Sequence, residues 1–263
     1  MQNELSHNPA DYEQSKLEQT VHEYLTLPSK RDYDNPNVNL PDELGQFLVR
    51  TGFIGDVEVE DEKSWYEYKD YTISCGGTPM DRADYDAFIV KLGKRPDTEE
   101  AIWPTTNDDL DKYRFLHEAS HAYQDYLSFK ESKGEPSLWH TKAANGRLET
   151  NYGILFGTCY QGRKADKSIG LSTWGNVSNY ARDPQTEVAA RALEDANELV
   201  TMYLWNPGYL KIFLQYLSGN LENYTNNNLR KDRLRKITPK ESDDLLFMVE
   251  AYVEEMKEEI RRR

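Results

Sequence analysis

Residues 117–121 read His-Glu-Ala-Ser-His, within a block from about Asp108 to Lys130 whose apolar residues recur at helical spacing. No other feature restricts this chain as much. Two histidines four positions apart on a helix share one face, about one turn apart, where a single tetrahedral zinc accepts both. Glu118 is rotated by about 100° from His117. It can reach the fourth zinc position, where water binds, and act there as a general base. Thr106 or Asn107 suits the N-cap, and Asp108 and Asp109 suit the positive end of the helix dipole. Phe115, Ala119, Ala122, Tyr126 and Phe129 form one face, flanked by Leu116 and Tyr123, and this face is expected to pack on the core. His117 and His121 fall roughly opposite, toward water or a cleft. The plainer alternative is an exposed helix with two incidental histidines.

A zinc site needs at least three protein ligands. No histidine follows closely after His121. His7 and His22 lie in a polar N-terminal stretch, and His140 serves only if the chain folds back sharply after the helix. A second predicted helix, about Gln185 to Trp205, places Val188, Ala192, Leu193, Ala196, Leu199, Val200 and Tyr203 on its apolar face. Glu187, Arg191, Glu194 and Glu198 lie opposite. Spacing leaves two readings of these acids: a third metal ligand at Glu187 or Glu194, or a solvated acidic stripe whose first member favours the helix dipole.

The segment before that helix reads Ser178-Asn179-Tyr180-Ala181-Arg182-Asp183-Pro184-Gln185-Thr186-Glu187-Val188-Ala189-Ala190. With the His117–His121 motif, it resembles the Glu-zincins, and most of all the anthrax lethal factor-type peptidase domain. The resemblance spans about residues 40–205, and its specific parts are the two motif segments. It implies one Zn2+ per chain, held by His117, His121 and Glu187. It implies Glu118 as the catalytic base and Tyr180, seven residues before Glu187, as the oxyanion stabiliser. It also implies a zinc-dependent endopeptidase acting on a peptide or protein. One position departs: the residue four after Glu187, commonly acidic in that family, is Arg191. Two other classes stay open. One is a zincin-fold binding or regulatory protein without activity, which has no use for Glu118. The other is a metal-dependent hydrolase of non-peptide substrates.

The expected architecture is α+β and zincin-like. A small, mainly antiparallel sheet packs on the active-site helix, beside a helical C-terminal subdomain. Residues 1–40 read as a polar, flexible N-terminal segment with at most a short helix over Val21 to Leu27. Residues 41–220 form the metallopeptidase domain, and 221–263 a linker and helix packed on it. Within the domain, Pro41 to Arg50 is predicted helical, with Leu44, Phe47 and Leu48 on one side. Val57 to Glu60 and Trp65 to Ser74 are predicted to form a hairpin around the charged turn Glu60 to Lys63. Ala87 to Val90 is a candidate edge strand for holding an extended peptide. Tyr209 to Leu217 and about Ser242 to Arg262 complete the helices. The last carries Leu245, Leu246, Val249, Tyr252, Val253 and Met256 on one face.

At 263 residues a substantial core is possible, and 12% aromatic content argues against a disordered chain. A net charge of -14 repels nucleic-acid backbones, so no nucleic-acid partner is expected. The basic runs Arg230 to Lys236 and Arg261 to Arg263 read as solvated loop and tail. Cys75 and Cys159 are too few for a disulfide scaffold and lack metal-motif spacing. The start is polar, and no apolar run approaches the roughly 20 residues that span a bilayer, so no membrane partner and a cytoplasmic location are expected, with signal-independent secretion left open. Gly76-Gly77 lacks the lysine of a phosphate loop and reads as a turn.

Overall fold

The computed structural model describes residues 9–27, 35–59, 65–67, 72–75, 107–131, 188–219 and 237–262. In chain order the elements are α1 (Pro9–Leu25), α2 (Leu40–Thr51), β1 (Asp56–Val59), β2 (Trp65–Glu67), β3 (Thr72–Cys75), α3 (Asn107–Glu131), α4 (Val188–Trp205), α5 (Pro207–Leu217) and α6 (Pro239–Arg261). The class is α+β and mostly helical.

The N-terminal stretch holds a longer helix than its polarity suggests. Val21, Leu25 and Leu27 are buried, and Leu17 and Tyr24 pack partly against the same core. A single apolar edge is enough because α2 offers a flat place for it. Any Cβ at Gly45 would overlap the side chains of Val21 and Leu25. The Lys112 ammonium, on α3, donates to the Thr26 carbonyl just past the end of α1 at 3.1 Å, which meets the negative end of its dipole. Helix α2 begins with Pro41 in its first turn and ends at Gly52, whose φ of 80° gives the left-handed C-cap.

The sheet corrects the expected antiparallel hairpin. Its strand order is β1-β3-β2. Strand β2 pairs antiparallel with β3, Tyr66 opposite Ile73, but β1 pairs parallel with β3, Val57 opposite Ile73. The sheet is therefore mixed. Trp65 to Ser74, which the residue pattern joins into one strand, is divided into β2 and β3. The third strand enters between the first two, and Ile73 at its centre is fully buried. An alternating pattern reports that a strand is half-buried and says nothing about which neighbour it takes. Ala87 to Val90 lies outside the described residues.

Helix α3 occupies the middle, against α1, α2, the sheet and α4. Helix α4 is rich in Ala, Leu and Glu, strong helix formers. It stops before Pro207, which opens α5 at a position where a missing N–H costs nothing. The Asn206 side chain accepts from Gly208 N at 2.8 Å and caps the new helix. Helix α6 starts with a complete capping box: Thr238 Oγ1 accepts from Glu241 N, and the Glu241 carboxylate accepts from Thr238 N. Its buried face is Leu245, Met248, Val249, Tyr252, Val253, Met256 and Ile260, and it lies against α2, α4 and α5. Among the described residues no helix is long and apolar enough to cross a membrane.

Candidate metal site

Helix α3 runs unbroken through the histidine motif. Its apolar side is built as expected: Phe115, Ala119, Ala122 and Tyr126 are buried, flanked by Leu116 and Tyr123. Phe115 stacks on Tyr24 with ring centroids 4.7 Å apart, and Tyr126 meets Phe47 edge-on at 4.9 Å. Phe129, the last member of that face, is 38% exposed at the end of the helix.

The opposite side is covered too. His117 and Glu118 are only 8% and 7% exposed. The covering element is α4, where Asn197, Leu199, Val200, Thr201, Met202, Tyr203, Leu204 and Trp205 are all buried. Glu198 therefore belongs to no solvated stripe. Its side chain is 15% exposed and stands against His117, with Oε1 at 3.3 Å from Nδ1. That contact has charge-pair distance but lies off the hydrogen-bond axis. The other oxygen of Glu198 accepts from the Tyr113 hydroxyl at 3.5 Å, one turn back along α3. Next to it, Asn197 Nδ2 donates to the His117 carbonyl at 2.8 Å. Two adjacent residues of α4 thus hold the side chain and the backbone of one histidine.

The two imidazoles are neighbours as the spacing requires. Their centroids are 4.8 Å apart and their planes nearly perpendicular, at 83°. His121 Nδ1 lies 3.1 Å from Gln124 Oε1. At His121 the Gln124 oxygen is a hydrogen-bond acceptor beside Nδ1, whereas at His117 the Glu198 carboxylate stands beside Nδ1 at charge-pair distance. An acceptor there favours the hydrogen on Nδ1 and the lone pair on Nε2, which is how ligand histidines are prepared. Gln124 and Glu198 were not identified as orienting residues from the sequence. The i, i+3 spacing of His121 and Gln124 is a usable signal, whereas the Glu198 contact crosses between helices and has none.

On the core side of α3, burial pushes the Tyr123 phenol far above the usual range, and Tyr252 and Glu259 add to the effect. Tyr123 stays neutral and serves as packing. Glu259, near the end of α6, accepts from the Tyr126 hydroxyl and pairs with Lys130 at 2.6 Å, tying α6 to the far end of the motif helix.

Among the described residues, no three His, Cys, Asp or Glu side chains converge as a metal cage. Glu187, Tyr180 and His140 lie outside the described residues, as does Cys159. Glu194 lies in α4, in the turn before Glu198. No family model, curated protein or solved structure matches this chain.

Proposed function

We propose that the protein is a zinc-dependent endopeptidase of the Glu-zincin type, most like the anthrax lethal factor-type peptidase domain. The supporting observation is the pair His117 and His121, adjacent on one helix, with His117 buried beside the Glu198 carboxylate and His121 Nδ1 against Gln124 Oε1. Two neutral imidazoles presenting Nε2 suit a zinc ion, and a carboxylate behind one of them is the usual support for such a ligand. An incidental surface pair needs neither burial nor orientation.

His117 and His121 would hold the metal together with a third, carboxylate ligand. The family resemblance gives that carboxylate as Glu187. Zinc, when bound, supplies Lewis acidity toward water and a peptide carbonyl. Glu118 takes the proton from the attacking water and delivers it to the departing amine. Tyr180 donates a hydrogen bond to the developing oxyanion. The substrate is a peptide or protein.

The test is Glu118→Gln, assayed on a peptide library with zinc measured in the same samples. The expected result is a loss of roughly 10²–10⁴ in cleavage rate, the range for a general base, with zinc content unchanged. Zinc loss as large as that of His117→Ala overturns the assigned role of Glu118. Zinc-replete wild type that cleaves no member of the library overturns the peptidase reading.

A further inference from the structure

Helix α3 carries three basic residues besides its histidines, Lys112, Arg114 and Lys130, and only one of them lies on the side of the histidine motif. We infer that this residue, Arg114, is a specificity residue that binds a carboxylate of the substrate peptide close to the scissile bond. The inference rests on the peptidase reading above and names the substrate class that reading leaves open.

At about 100° per residue, Lys112 and Lys130 each lie about 140° around the helix from His117. Both hold the fold together: Lys112 donates to the Thr26 carbonyl at 3.1 Å, and Lys130 pairs with Glu259 at 2.6 Å. Arg114 lies the other way. Its direction is about 60° from His117, between His121 at about 40° and Glu118 at about 100°. It stands one turn, about 5 Å, before His117 along the axis. An extended peptide advances about 3.3 Å per residue, so a group there meets substrate residues within two or three positions of the cleaved bond.

The fold makes little use of this guanidinium. Among the described residues its one polar contact is with the Asp111 carboxylate, Nη1 to Oδ1 at 3.4 Å. Such a contact normally closes to about 2.7–2.9 Å. Arg262, 69% exposed, reaches Glu258 at 2.7 Å. Arg114 is only 21% exposed, so it is largely withdrawn from water without a close partner in exchange. Its planar fork of five N–H donors matches a carboxylate taken through two parallel bonds. The charge of Glu118 on the same face and the net charge of -14 both repel a substrate acid, so a site that accepts one needs a local cation.

The test is affinity selection. Full-length Glu118→Gln protein is immobilised in zinc-containing buffer at physiological salt and offered random short peptides, one pool amidated at the C-terminus and one free. Retained peptides are read by mass spectrometry. The expected result is enrichment of Asp and Glu over Asn and Gln by roughly 10–100-fold, the range for a hydrogen bond to a charged group. Non-specific retention on so acidic a protein favours basic peptides, so it does not mimic this result. Adding Arg114→Gln abolishes the enrichment, Arg114→Glu turns it toward Lys and Arg, and Arg114→Lys keeps part of it. Asp111→Asn retains it, because Asp111 competes for the same fork. Enrichment confined to the free pool makes the bound carboxylate the chain end instead of a side chain. Thermal melts establish folding, and Arg114→Met, which keeps the apolar stem, replaces the glutamine variant if that fails to fold. Equal retention of acidic and amide peptides overturns the inference, as does enrichment unchanged by Arg114→Gln. A loss in Asp111→Asn equal to that in Arg114→Gln also overturns it, since the ion pair is then structural. Zinc-replete wild type that cleaves nothing, with an acid preference that depends on Arg114, overturns the peptidase reading and leaves Arg114 as a peptide-binding residue.

Discussion

The two sides of α3 are both buried, but by different means. Toward α1 and α2 the helix presents Phe115, Tyr123 and Tyr126 to Tyr24, Phe47 and Phe53. Toward α4 it presents His117, with Asn197 and Glu198 against it. The first side is stabilised by apolar area and ring contacts. The second takes polar groups out of water, which lowers stability unless each finds a partner. Among the described residues Asn197 Oδ1 has no hydrogen-bond partner. A protein selected for stability alone has no reason to build the second side. The contrast separates a side stabilised by apolar area from a side that depends on polar partners.

The largest effect expected from breaking this contrast is on the apolar side. Phe47 is 1% exposed and touches both Tyr123 and Tyr126. Phe47→Ala should cost about 3–5 kcal/mol in denaturant unfolding, the usual range for a buried phenylalanine. Zinc affinity per folded molecule should not change. A matching fall in affinity would mean that the two sides are not independent.

Tyr126→Phe is intermediate. It keeps the ring contacts and removes only the hydroxyl that Glu259 accepts from, leaving that carboxylate with Lys130. A loss of about 1–3 kcal/mol is expected, as for a buried acceptor deprived of one partner. A neutral result would show that Glu259 is satisfied without the Tyr126 hydroxyl.

The smallest stability change is expected on the polar side. Asn197→Leu exchanges one hydrogen bond and one unpartnered oxygen for apolar volume of similar size. Metal-free stability should stay within about 1 kcal/mol of wild type. Zinc affinity should fall about 10-fold, the low end for outer partners, because the α3–α4 register loosens. A large stability loss with unchanged affinity would make Asn197 a structural residue.

Much of α3 was legible in the residue pattern. The helical period alone places His117 and His121 together and puts Phe115, Ala119, Ala122 and Tyr126 on the core side, because these relations depend on local backbone geometry. The capping box of α6 and the stop at Pro207 are local in the same sense. The α1 helix was less legible, because its buried edge depends on the space that Gly45 leaves on α2. The sheet was misread for a similar reason: alternation in Trp65 to Ser74 cannot report that β3 inserts between β1 and β2.

The acids of α4 divide along the same line. Periodicity puts Glu198 on the face opposite the apolar one, and calling that face solvated assumes the helix has only one buried side. In the fold, α4 is covered on that face by α3. The sequence by itself determined which side chains share a face, since that follows from 3.6 residues per turn. Only the tertiary structure decided what lies against each face, since that depends on contacts between segments eighty residues apart, such as Asn197 and His117.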